Sequence, residues 1–167
     1  MIFIYTCYAG THSSSIASAI HLGQVRGDKI PNSKEILGID YFNELDREDM
    51  GKIVYRGTDR EGNKVFTLGR GSCDLVITAM IDIINILHSE WRLKEKVIIS
   101  NMSPAVPMAM SVGGFITREF RLNFLGVPFL IMGAKQAFLK IAELVEFTKE
   151  QSKIREGSVI HLENKLK

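Results

Sequence analysis

The sequence predicts an α/β fold: a three-layer, mostly parallel, doubly wound sheet with an inserted β-hairpin, built as a single domain over residues 1–167. Three observations predict it. Short apolar runs rich in β-branched and aromatic residues, at Ile2–Thr6, Val97–Ser100 and Val127–Met132, alternate with longer segments of helical spacing. That alternation is the mark of a parallel sheet covered on both faces, with right-handed crossovers. Two further runs, Lys52–Arg56 and Lys64–Leu68, flank the turn-rich tract Gly57–Asn63, which reads as a hairpin inserted at an antiparallel edge. The length of 167 residues, with 46% hydrophobic and 24% charged residues, suits one globular domain with a core that needs no disulfide or metal staple. This composition excludes a chain disordered along most of its length.

The elements follow in chain order. Ile2–Thr6 is a buried strand and Cys7–Thr11 a small-residue turn. A helix then starts at Thr11 or His12 and runs to about Leu22, with Ile16, Ala19 and Ile20 at helical spacing and Gly23 as its stop. The polar stretch Val25–Asp49 holds a short helix from Ser33 and another near Asn43–Met50. After the hairpin, Ser72 is a good N-cap for a helix over Cys73–Ser89. That helix is apolar nearly all round and should be deeply packed. Val97–Ser100 is a buried strand, Val112–Phe124 a helix, Val127–Met132 another buried strand and Ala134–Lys149 a long amphipathic helix. Ser158–Leu162 is a candidate last strand.

Charge and cysteine content narrow the function classes. The 21 basic and 19 acidic groups give a net charge of +2, which argues against a nucleic-acid binder of the basic kind. Two cysteines, Cys7 and Cys73, make no disulfide framework and point to a reducing compartment. Met1–Val25 has no formal charge and therefore no positive n-region, so the expected location is cytoplasmic. The uncharged stretch Val97–Thr117 contains Pro104 and Pro107, and Leu122–Ala134 is too short to span a bilayer. Both read as core, with no membrane role. The sequence leaves a second copy of the chain open as a partner.

The most informative stretch is Ile4–Ile16. A buried strand ends at Cys7, Ala9 and Gly10 make a tight loop, and a helix opens with Thr11, His12, Ser13, Ser14 and Ser15. Such a junction aims free helix N–H groups at one point beyond the strand's carboxyl end, where a phosphate or another anion fits. The pattern is neither a Walker loop nor a dinucleotide fingerprint. The expected ligand is a phosphorylated metabolite or nucleotide, held by Gly10, Thr11, His12, Ser13 and Ser14. A thiol at the mouth of such a loop has its thiolate favoured, so Cys7 is also a candidate nucleophile for phosphoryl or acyl transfer, with His12 as donor or acid/base. A non-catalytic regulatory or structural role is the remaining reading.

Metal binding is not expected. His12 and His21 lie nine residues apart, about 180° around a helix, and no C-x-x-C or H-E-x-x-H spacing occurs. Met102, Met108 and Met110 read as core filler. No cofactor is implied. Asn101 and Ser103 follow the strand at Val97 and should line the same crevice. The loop lacks a cation of its own. Lys135, expected in the first turn of the helix at Ala134, is the first choice and should approach the loop more closely than Arg56 or Lys149. Arg70, Arg118 and Arg121 are the other candidates.

The Cys7–Ser14 loop resembles the phosphocysteine loop of the sugar-phosphotransferase IIB proteins, with Cys7, Ala9, Gly10, Ser13 and Ser14 matching over about ten residues. It is similar in outline to the low-molecular-weight tyrosine phosphatases, but Ser13 stands where they carry Arg, and that departure argues against their activity. Over most of its length the chain resembles a bacterial family of unknown function, numbered 3189 among such domains, found in spore-forming Gram-positive bacteria. The likeness rests on Cys7–Ser14, Ala19–Gly23, Gly57–Asp59, Gly62–Asn63, Leu68–Arg70 and Gly113–Phe115. The family usually has Gly at the position of Ala9 and often Asp near Asn101, so a catalytic role for that Asp would not carry over. The resemblance implies a cytoplasmic α/β protein with a link to sporulation and no established activity.

Overall fold

A computed structural model describes residues 1–120 and 122–165. Five strands form one sheet: β1 (Ile2–Cys7), β2 (Ile53–Thr58), β3 (Lys64–Gly69), β4 (Val97–Asn101) and β5 (Val159–Leu162). Their order is β2-β3-β1-β4-β5, parallel except for β2, which pairs antiparallel with β3 at one edge. The predicted hairpin is therefore present and sits where expected.

Alternation of side chains along the strands divides the core in two. Phe3, Tyr5, Val65, Ile98, Ile160 and Leu162 pack with α1 (Ser13–His21) and α5 (Asn123–Ile154) on one face. Ile4, Leu68, Val97 and Ile99 pack with α3 (Leu75–Trp91) on the other. The remaining helices are α2 (Ser33–Leu37), capped reciprocally by Asn32 and Glu35, and α4 (Met108–Glu119). Since β1 lies between β3 and β4, with chain crossing over to each side of it, the carboxyl end of β1 is the topological switch point of the sheet.

Several expectations are corrected. Val127–Met132 is not a strand. It lies inside α5, which runs unbroken from Asn123 to Ile154. A short apolar run cannot be told from helix by hydrophobicity alone. The buried residues Gly126, Leu130, Gly133, Ala134 and Ala137 carry the helical spacing here. Pro128 has no N–H to offer Phe124, but both residues are exposed, so water can take that bond.

The helix predicted from Val112 begins at Met108 and ends at Glu119, and the one predicted near Asn43 is only a 3-10 turn at Arg47–Asp49. The helix predicted over Cys73–Ser89 starts two residues later, with Asp74 rather than Ser72 at its N-cap. It is not deeply packed. Only Ile77 and Ile84 are buried, while Leu75, Ile83, Ile86 and Trp91 are exposed.

The expected single hand of the crossovers is also corrected. The β1-to-β3 link passes over the α1 face and the β3-to-β4 link, in the reverse direction, over the α3 face. The β4-to-β5 link continues in that reverse direction but returns over the α1 face through α5. One hand cannot serve all three. The last link is an α4–α5 helical hairpin rather than one short helix, so the twist argument behind the rule binds it weakly.

Among the described residues, α5 is the one helix long and apolar enough to cross a membrane. Its Ala134, Phe138, Ile141 and Val145 are buried in the core shared with α1.

A thiol-bearing cleft at the switch point

The loop after β1 is held from three sides. The Cys7 and Tyr8 carbonyls accept from Arg70 and Gly71, and the Thr6 carbonyl accepts from Met102 just after β4. On the third side, the Thr11 carbonyl accepts from Asn43, and the Thr11 hydroxyl donates to the Tyr41 carbonyl and accepts from the amides of Glu44 and Leu45. Close backbone approach requires glycine at two points. A Cβ on Gly10, whose φ is +75°, would lie 2.6 Å from the Gly69 nitrogen, and one on Gly69 would lie 2.6 Å from the Ala9 carbonyl. The loop is thus pressed onto the end of β3.

Cys7 is buried and free. Its Sγ receives the Gly10 amide at 3.1 Å and lies 3.2 Å from the Ser14 hydroxyl. Burial raises the thiol pKa, but hydrogen bonds from the Ser14 side chain, from the Ser14 and Gly10 backbone and from the Ser13 side chain outweigh it and leave it below the ordinary value. The amides of Tyr8, Ala9, Thr11, His12, Ser13 and Ser15 donate to no main-chain carbonyl among the described residues. The Ser13 hydroxyl, in the first turn of α1, is fully buried and, apart from its approach to the Cys7 sulfur, has no hydrogen-bond partner among the described residues.

These groups open on a cleft of about 550 Å³ lined by Cys7, Tyr8, Ala9, His12, Ser13, Ser103 and the α4 side chains Met110, Ser111, Phe115, Arg118 and Glu119, with Val106 and Arg47 completing it. Helix α4 reaches the loop because Gly114 has no side chain. A Cβ there would stand 2.9 Å from the His12 ring. Arg118 donates to the Gly114 carbonyl at 3.2 Å, and its guanidinium lies 5.4 Å from the Tyr8 ring centre. It has no carboxylate partner among the described residues. The one carboxylate lining the cleft, Glu119, pairs with Arg47 at 3.1 Å.

The other predicted site residues separate into two sets. Gly10, Ser13, Ser14 and Ser103 are brought to the loop or its cleft. Thr11 is spent on fastening the 41–45 segment. His12 donates from Nε2 to Asn43 Oδ1 at 3.2 Å, an oxygen that also accepts from Thr117. Burial, and secondarily the charge of Arg118, pushes His12 down to about 4 against the bond to Asn43. It is neutral at physiological pH, with its one N–H committed.

Asn101 accepts from the Ser103 amide and donates to Glu163. Lys135 is well inside α5 rather than in a first turn, and its ammonium bonds Ser33 in α2. Arg56, by contrast, reaches Ser15 in the first turn of α1 at 3.2 Å. The pairing of Lys135 with the loop depended on a strand at Val127, and that strand does not exist. Arg70 pairs with Asp74, and Arg121 lies outside the described residues.

Sequence reasoning ranked Arg118 only among the alternatives and missed Asn43, Tyr8 and Phe115. The available signal was the pair Gly113–Gly114 in an apolar helix, a mark of close approach by another element. His21 is a packed side chain. The Tyr5 hydroxyl donates to its Nδ1 at 2.7 Å and its Nε2 donates to Asp59 at 3.0 Å.

A family model described as "Protein of unknown function (DUF3189)" matches residues 2–150, which include every element that builds the cleft. No curated protein and no solved structure matches the chain.

Proposed function

We propose, from the premise that the chain belongs to the family described as protein of unknown function (DUF3189), that the Cys7–Ser14 loop binds the oxyanion of a small phosphorylated compound. The observation that carries this reading is the Ser13 hydroxyl, fully buried at the cleft with no partner among the described residues beyond its approach to the Cys7 sulfur. A buried polar group left unsatisfied costs about 1–3 kcal/mol. A bound oxygen would remove that cost here. Around it stand amides without carbonyl acceptors among the described residues, the amino end of α1 and the guanidinium of Arg118, which meets no carboxylate among those residues, a donor set suited to a tetrahedral anion. Phosphate suits it better than a carboxylate because donors converge from the loop, from α1 and from α4.

Thermal unfolding with inorganic phosphate or vanadate tests the reading. At 100 times its Kd a ligand adds about 2.7 kcal/mol of stability. That stabilisation should vanish in Arg118→Ala and weaken in Ser13→Ala. No stabilisation of the native chain by either oxyanion would overturn it.

A further inference from the structure

We infer that Cys7 is a nucleophile toward small phosphomonoesters whose ester group is aromatic or apolar, and that Arg118 of α4 supplies the charge that the loop itself lacks. The inference rests on the oxyanion reading above and adds chemistry and a substrate class to it.

Four observations lead there. The Sγ atom lines the cleft while the Gly10 amide and Ser14 hydroxyl hold it, so the sulfur is fixed and its negative form favoured. The Ser13 hydroxyl lies beside it, has no other partner among the described residues and offers a hydrogen bond to a phosphoryl oxygen. Arg118 faces the same cleft without a carboxylate partner among the described residues. Finally, one side of the cleft is apolar. The rings of Tyr8 and Phe115, each about half exposed, line it with Val106 and the buried Met110. Such a wall favours a flat or apolar ester group over a polyol.

The step balances without a cofactor. The thiolate pair attacks phosphorus, an S–P bond forms and the P–O ester bond breaks. The ester oxygen leaves with that bond's electron pair and takes a proton from solvent. Water then attacks phosphorus and the S–P bond breaks, returning its pair to sulfur. One proton of that water goes to solvent and the other stays on the released phosphate. His12 takes no part as an acid, since its N–H is committed to Asn43. It is a positioning residue.

The test uses the full chain with p-nitrophenyl phosphate and glycerol 3-phosphate as the two substrate arms. Binding is read separately from the thermal shift with phosphate. The native chain should release nitrophenol, and acid quenching should trap a phosphoryl group on Cys7. Arg118→Ala should lower kcat/KM about 100-fold or more, as loss of a charge-stabilising donor does, and Arg118→Lys should recover part of it. Cys7→Ser should abolish turnover while keeping the phosphate-induced shift. The trapping is done on the native chain and stands even if a variant fails to fold. A phosphate shift without turnover or trapped phosphocysteine would overturn the inference and leave the binding reading intact. Absence of the shift as well would overturn both. Turnover that survives in Cys7→Ser, or glycerol 3-phosphate used better than the aryl ester, would overturn the nucleophile or the substrate class.

Discussion

At the scale of single residues, Cys7 and His12 show opposite uses of burial. Cys7 is buried among donors, so its sulfur is favoured as an anion. The pH midpoint for its alkylation should fall below the ~8.5 of a free thiol. Ser14→Ala should raise that midpoint. A midpoint at or above the free value would remove the basis for reactivity.

His12 is buried mainly among apolar and neutral groups and drops to about 4. Its folded pKa lies below the unfolded ~6.5, so the unfolded chain binds the proton more readily. Its contribution to stability is complete above pH ~6.5 and is lost as pH falls toward 4, on the order of 3 kcal/mol. Urea midpoints measured across that window should decline in the native chain and decline less in His12→Gln. Asp59 acts lower. Burial raises its pKa, but bonds from Asn63 and His21 outweigh this and hold it at about 2, so its share is lost only as pH falls from about 4 to 2. That Cys7, Gly10 and Ser14 come together was legible because they follow one another along the chain. Asn43 was not, and Arg118 stood only among several candidates, because nothing local ties either of them to a loop so distant along the chain.

At the scale of elements, the strands and hairpin were legible because their signals are short-range: alternation, branched side chains and turn residues. The α4–α5 pair was not. Its contact depends on absent side chains. A Cβ on Gly133 would lie 2.4 Å from the Met110 nitrogen, and one on Gly113 2.7 Å from the Leu130 nitrogen. Backbone cannot retreat as a flexible side chain can. Gly133→Ala should therefore destabilise the chain by about 1–3 kcal/mol, although alanine is the better helix former. Chemical denaturation of this variant beside Gly23→Ala makes the comparison, since Gly23 has no neighbour within 4 Å and its penalty comes from its left-handed backbone alone. A Gly133→Ala chain as stable as the native one would mean that the two helices can slide apart. The misread packing of α3 has a different cause. Its apolar residues surround the helix, and composition does not say which of them a single chain will cover.

At the scale of the whole molecule, the sheet buries one hydrophobic layer under α1 and α5 and a thinner one under α3. The single tryptophan, Trp91, sits at the end of α3 with 78% of its surface exposed. Its fluorescence in the folded chain at low concentration should match that of indole in water and shift little on unfolding. A blue-shifted folded-state maximum at low concentration would contradict the packing of α3.

The contact of Gly10 with Gly69 has a further consequence in time. The donors around the Cys7 sulfur are local, but the loop that presents them is pinned by segments far apart along the chain. Arg70 and Gly71 close it from the β3 side and Met102 from the β4 side. Parallel pairing of such distant strands is slow to form, because loop closure must come before any contact rewards it. No fragment ending before residue 69 contains both sides of that contact. During synthesis and refolding the sulfur thus begins as an ordinary, accessible thiol. It acquires its altered acidity only once the hairpin and the central strand have met, so the rate at which that acidity appears is a clock for closure of the sheet.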